Sequence, residues 1–302
     1  MIPLDISAGG TVVGVLESDV RTHAFIWSSE EGLTNLGELI NGDISSIATG
    51  ISADGTVIVG RATNSDRHFQ AFRWSEAEGI INLGVLEGAS FSRATAVNID
   101  GTVIVGESSG YYKSVYGGYA FLWTDESGMI NLGRLEGGKL SRAKDVSADG
   151  SVVVGISESG EGERAFLWTE AEGMVSLGVL EGGESSRAYG VSADGKVVVG
   201  KSDSNEGTVA FRWTAEDGMV SLGKLDDASM FSWARGISAD GRMVVGESDS
   251  RGFLWTAEEG MTSLGRWSRG YGSTAIGINT DGSLIIGYSR NEPRVFIWRV
   301  KP

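Results

Sequence analysis

Few residues in this chain are suited to covalent chemistry. It holds two histidines, His23 and His68, and no cysteine. Neither a Ser-His-Asp relay nor a thiolate or histidine-rich metal site can be read from such a set. Asp203-Ser204-Asn205-Glu206-Gly207 places oxygens at alternate positions as a calcium loop does, but it lacks the closing bidentate glutamate. The sequence therefore assigns no catalytic residue, no metal ligand and no cofactor. Its 40 acidic residues leave one enzymatic reading open, a hydrolase or lyase built on a carboxylate pair.

Residue types suited to recognition are more prominent. Arg93, Arg142 and Arg187 stand at one repeated position, just before an alanine. Three guanidiniums near an axis would make an anion funnel. The favoured reading is structural, because Glu87, Glu136 and Glu181 stand six residues earlier in the same three copies. That spacing suggests ion pairs bracing a loop. Trp233 and Trp267 are the two tryptophans outside a repeated motif, with Phe231 and Tyr271 near them. Tyr111, Tyr112, Tyr116 and Tyr119 crowd one polar connection. Aromatic side chains with polar rims suit protein or carbohydrate recognition, so Trp233, Trp267, Tyr111, Tyr112, Tyr116 and Tyr271 are the candidate binding residues.

The elements that must position these residues come from one unit repeated seven times. Phe-x-Trp recurs at Phe25/Trp27, Phe72/Trp74, Phe121/Trp123, Phe166/Trp168, Phe211/Trp213, Phe253/Trp255 and Phe296/Trp298. Asp-Gly recurs at Asp54, Asp100, Asp149, Asp194, Asp240 and Asp281, with Gly9-Gly10 in the first copy. In residues 185–225, Ser186 to Ser192 predicts a first strand, a, and Asp194-Gly195 a tight hairpin. Val197 to Gly200 is an apolar run and predicts a buried strand b, ended by its glycine. Ser202 to Thr208 reads as a polar loop. Ala210 to Trp213 predicts strand c, and Met219 to Gly223 strand d.

Sheets of four short strands cannot cover both their faces alone, and stacking them around a ring does so. The predicted fold is an all-β, seven-bladed β-propeller with about four antiparallel strands per blade. It is one domain over 1–302, with repeats at about 2–46, 47–92, 93–141, 142–186, 187–232, 233–273 and 274–302. An open stack would carry polar caps, whereas the last copy keeps Ile285, Ile286, Phe296 and Trp298. That copy lacks the Gly-Met-x-x-Leu-Gly segment, which leaves 27 strands. Either the last blade has three strands or an upstream segment completes it, and the reading favoured is a domain cut from a longer chain.

Bulk composition agrees. The 46 glycines against 3 prolines indicate many tight turns. A net charge of −15 repels nucleic acid and anionic membranes, and no apolar run is long enough to insert in a bilayer. No secretory signal opens the chain.

The repeat resembles the HAF-repeat family of bacterial probable extracellular repeat proteins. Thr22-His23-Ala24-Phe25-Ile26-Trp27 carries the His-Ala-Phe triplet, and Leu177 to Gly183, Ser186-x-Ala188, Val191-Ser192-x-Asp194-Gly195 and Val198-Val199-Gly200 follow the longer pattern. The histidine is absent from later copies, where Gln70, Tyr119, Arg164 and Val209 replace it. The resemblance implies an extracellular or cell-surface location and no established activity. The strand order also resembles WD-repeat blades, in which the d–a and b–c loops share one face. The expected function is thus a non-catalytic binding or adhesion propeller that recognises a glycan or protein through one loop face. The alternatives are a spacer or passenger domain without a ligand and the channel carboxylate enzyme.

Overall fold

In the computed structural model, the repeats form seven antiparallel sheets around a central channel. The structure describes residues 1–17, 21–36, 45–64, 68–110, 118–265, 272–289 and 295–300. Six sheets have four strands in sequence order, and the last has three, Ser273–Ile278, Leu284–Ser289 and Val295–Arg299. The third sheet illustrates the register: Gly106 faces both Ala94 and Phe121, and Trp123 faces Met129.

Two predicted boundaries shift. In the fifth blade strand b runs Val198–Ser204 and strand c runs Gly207–Thr214. The segment read as a loop from Ser202 to Thr208 is thus mostly a hairpin, with Ser202 opposite Val209 and Asp203 opposite Thr208. Gly207, at φ 93°, makes its tight reversal. Gly200 does not end strand b but lies within it, where strand a bulges between Ala188 and Gly190. A Cβ on Gly200 would lie 1.9 Å from the Arg187 carbonyl oxygen and 2.9 Å from the Phe211 ring. The same approach recurs in the other blades, which explains the glycine in each copy.

The core lies between blades. Phe25, Phe72, Phe121, Phe166, Phe211 and Phe253 are buried, each beside a fully buried strand-b valine or isoleucine. Burying one such ring stabilises the fold by about 2–3 kcal/mol. The Phe-x-Trp tryptophans pack at the rim of the same clusters. Small residues on strand a, Ala48 to Ala275 in register, are fully buried where the wedge narrows.

Two sets of hydrogen bonds lock neighbouring blades. The strand-a serine at 46, 92, 141, 186 or 232 accepts from a strand-c alanine N–H of the preceding blade at 2.8–2.9 Å. In the last blade Ser273 takes this place and accepts from Gly252 at 3.2 Å. Around the a–b turns, Ala8 donates to Ala53, Ala53 to Ile99, Ala148 to Ala193, Ala193 to Ala239, and Ala239 to Thr280. The two remaining steps are made by side chains, Asn98 Nδ2 to the Ala148 carbonyl at 3.2 Å and Asn279 Nδ2 to the Ala8 carbonyl at 3.4 Å. Five copies have serine at this position, with an oxygen that holds the turn. Asparagine keeps that oxygen and adds an amide donor, which reaches the next blade. The last link joins the seventh blade to the first, and Ile6, Val12, Phe25 and Ile286 pack across the same seam. The ring is closed.

Candidate functional site

Strand a presents every second side chain to the channel. The ring of positions nearest the a–b turns is the small Ala53, Ala148, Ala193 and Ala239 with Ile99 and Thr280. Above it stands an aliphatic collar, one side chain per blade: Ile6, Ile51, Val97, Val146, Val191, Ile237 and Ile278. The next ring up breaks the pattern, with Leu4, Thr49, Thr95, Lys144, Tyr189, Arg235 and Ile276. The outermost positions are Ile2, Ile47, Arg93, Arg142, Arg187, Trp233 and Thr274. The cavity enclosed has a volume of about 250 Å³.

The two upper rings divide the mouth into two arcs. Blades three to six contribute the cations, and blades seven, one and two contribute Ile276, Leu4 and Thr49. In the cationic arc, Glu107 binds both Arg93 at 2.8 Å and Arg142 at 2.7 Å. Arg187 pairs with Glu163 at 2.8 Å. Arg235 pairs at 2.6 Å with Glu247, a fully buried carboxylate that also accepts from Thr274 Oγ1 at 2.9 Å. The expected pairing of the arginines with Glu87, Glu136 and Glu181 is therefore corrected. Those glutamates point to solvent from the d–a loops, while Glu107 lies opposite Arg93 on the adjoining strand and Glu163 reaches Arg187 from the preceding blade.

Lys144 stands among these cations. Burial, reinforced by Arg93 and only partly offset by Glu107, pushes its ammonium down to about 8. Burial also raises the Tyr189 hydroxyl, against the opposing pull of Arg187.

Two carboxylates sit in the channel wall. Asp5 and Asp145 occupy the position that is Gly50, Ala96, Gly190, Gly236 or Gly277 in the other blades. Each accepts from its own following N–H and from the next blade. Asp5 takes Ile6 at 2.8 Å and Ile51 at 2.9 Å, and Asp145 takes Val146 and Val191 at 2.9 Å each. Burial outweighs these bonds, raising Asp5 to about 6 and Asp145 to about 7, with the Asp5 charge adding to the latter. The sequence comparison among repeats singled out neither, although an acid at a glycine position was the available signal.

Of the predicted aromatic site, Trp233 is at the rim of the mouth and half-buried. Lys201 Nζ lies 3.9 Å from its ring centre and the Arg235 guanidinium 5.3 Å, with Phe231 tilted against it at 5.1 Å. Its indole Nε1 is buried without a hydrogen-bond partner. Tyr111, Tyr112, Tyr116, Trp267 and Tyr271 lie outside the described residues. In the Asp203–Gly207 segment, Asp203 accepts from the Ser185 and Thr208 hydroxyls at 2.6 and 2.8 Å.

No protein-family model matches the chain, and no curated protein matches its sequence. Solved structures do resemble it. TolB from Acinetobacter baumannii aligns at 14% identity and TM-score 0.57, over 95% of this chain and 65% of that one. The β-propeller domain of Cps50 (Swd1) from Myceliophteria thermophila aligns at 12% identity and TM-score 0.59, over 99% and 96%. Puromycin hydrolase aligns at 14% identity and TM-score 0.63, over 99% of this chain and 52% of its own. The chain thus spans about two thirds of the TolB structure and half of the hydrolase. At such identities the likeness is one of fold. Among the described residues, no helix is long and apolar enough to cross a membrane.

Proposed function

We propose that this protein is a non-catalytic binding propeller, acting at the cell surface or outside the cell, that engages a protein or glycan at the loop-bearing mouth of its channel. Trp233 contributes at the rim, and Trp267, Tyr111, Tyr112, Tyr116 and Tyr271 are assigned to the same site from the sequence. One observation carries the reading. The opposite face is seven copies of nearly the same turns, and the collar is aliphatic throughout, whereas departures from the repeat gather on the upper two rings. Structure alone asks for the same residue in every blade, so residues that differ blade by blade at one place are free to serve a ligand. The test compares wild type with Trp233→Ala/Trp267→Ala on a glycan array and against immobilised candidate proteins. Loss of a specific signal in the double variant supports the site, and an unchanged signal rejects it.

A second reading, a channel hydrolase or lyase, rests on Asp5 and Asp145. Both carboxyls have raised pKa values, as an acid catalyst requires. Their oxygens are engaged by backbone N–H groups of two blades, so the pair also serves to join those blades.

A further inference from the structure

Resting on the mouth being the ligand site, the geometry points to an organic carboxylate as the group it takes, with the anionic head against Lys144 and Arg235 and an aliphatic body against Leu4 and Ile276. The first support is the local charge. The protein carries −15 overall, yet Arg93, Arg142, Arg187 and Arg235 gather on one side of the mouth. Lys144 adds a further cation, and among the described residues its amine makes neither an ion pair nor a hydrogen bond. An ammonium left unpaired beside guanidiniums is costly unless an anion joins it.

The second support is the position of that surplus. Lys144, Tyr189 and Arg235 come from three successive blades and line one cavity, so a charged group, a hydroxyl and a fork-shaped donor converge on the same space. The third support is the facing arc. Leu4 and Ile276 are apolar, and the collar below is aliphatic, which suits a carbon body and offers an inorganic oxyanion nothing. Depth is limited from beneath. Asp5 and Asp145 line the wall below the cations, and their negative forms repel an anionic head that moves further in. A cavity of about 250 Å³ admits a short branched acid or the last residue of a peptide. Both present the same chemistry, a carboxylate on an aliphatic carbon.

Calorimetric titration of the full chain tests this with five probes: 4-methylpentanoate, 4-methylpentylamine, inorganic phosphate, and a peptide ending in leucine both as free acid and as amide. The acid should bind in the millimolar range or better, and the amine and phosphate at least about tenfold more weakly. A free-acid peptide that binds more tightly than the small acid assigns the carboxylate to a polypeptide end. Equal binding assigns it to a small molecule, and either result fits. Lys144→Met should weaken the acid about tenfold or more while thermal unfolding shows the fold intact. Arg235→Gln gives a second reading of the same contact. No binding of either acid, equal binding of amine or phosphate, or unchanged affinity in Lys144→Met would overturn the inference. If Lys144→Met and wild type bind no acid yet wild type still gives the Trp233-dependent array signal, the carboxylate is wrong and the binding propeller stands. Loss of both removes the mouth as a site.

Discussion

Raising the pH from 5 to 8 should weaken this propeller through two side chains. Burial lifts Asp5 to about 6 and Asp145 to about 7, while an unfolded aspartate titrates near 4. Between those values the folded chain holds protons that the unfolded chain has released. The corresponding stability is fully present below about pH 4 and is lost as the pH rises through the folded values. Each pH unit in the interval corresponds to about 1.4 kcal/mol per site. Above pH 5 that leaves about one unit for Asp5 and two for Asp145, a ceiling of about 4 kcal/mol. Both side chains border an open channel, and screening there reduces the expected loss to about 2 kcal/mol. Lys144, depressed to about 8, acts with the opposite sign and only above that pH, so the window is clear. The assay is urea unfolding followed by tryptophan fluorescence at fixed ionic strength, at each pH from 5 to 8. The control is Asp5→Gly/Asp145→Gly, because glycine is the residue at this position in four other blades. Wild type should lose about 2 kcal/mol across the range and the double variant should stay level to within about 0.5 kcal/mol. Parallel slopes in the two proteins, or a wild type that gains stability with pH, would refute the reasoning.

Four further outcomes are expected in denaturant unfolding. Gly200→Ala should cost about 3 kcal/mol or more, because its Cβ would strike the Arg187 carbonyl. Gly173→Ala, at φ 69° with open space around it, should cost only about 1 kcal/mol. Glu247→Gln should cost about 3 kcal/mol, since it leaves Arg235 facing a buried neutral amide. Asn279→Ser keeps the turn acceptor but removes the amide donor that reaches Ala8, and should cost about 1 kcal/mol and admit protease at the seam first.

Ring architecture was legible because its signals are local and repeated. Phe-x-Trp, Asp-Gly and the strand-b apolar run each specify one part of a blade, and seven copies leave little but a ring. What escaped were contacts between blades. Arg142 reaches Glu107, 35 positions back and one blade away, whereas sequence spacing favoured Glu136 in its own loop. Ser46, Ser92, Ser141, Ser186 and Ser232 recur without interruption, yet nothing local says that a hydroxyl must meet an N–H of the preceding sheet. Asp5 and Asp145 were visible only as acids at a glycine position, and their burial depends on the neighbouring blade. The Ser202–Thr208 segment was misread because its side chains are polar throughout, although it forms a regular hairpin in which Ser202 is buried and only Asn205 to Gly207 at the tip are exposed. Trp233 was legible as an exception to the repeat. Its place among Lys201, Arg235 and Phe231 was not, since those residues come from two strands and a loop.

Closure of the ring is the claim from which the mouth and its two arcs follow, and a single cross-link tests it most directly. The chain has no cysteine, so Ala8→Cys/Thr280→Cys adds one pair at the seam where Asn279 meets Ala8. Mild oxidation should join the two ends within one molecule, giving a fast-migrating species on a non-reducing gel that reverts with reductant. A chain that stays linear, or that links only between molecules, would contradict the closed propeller.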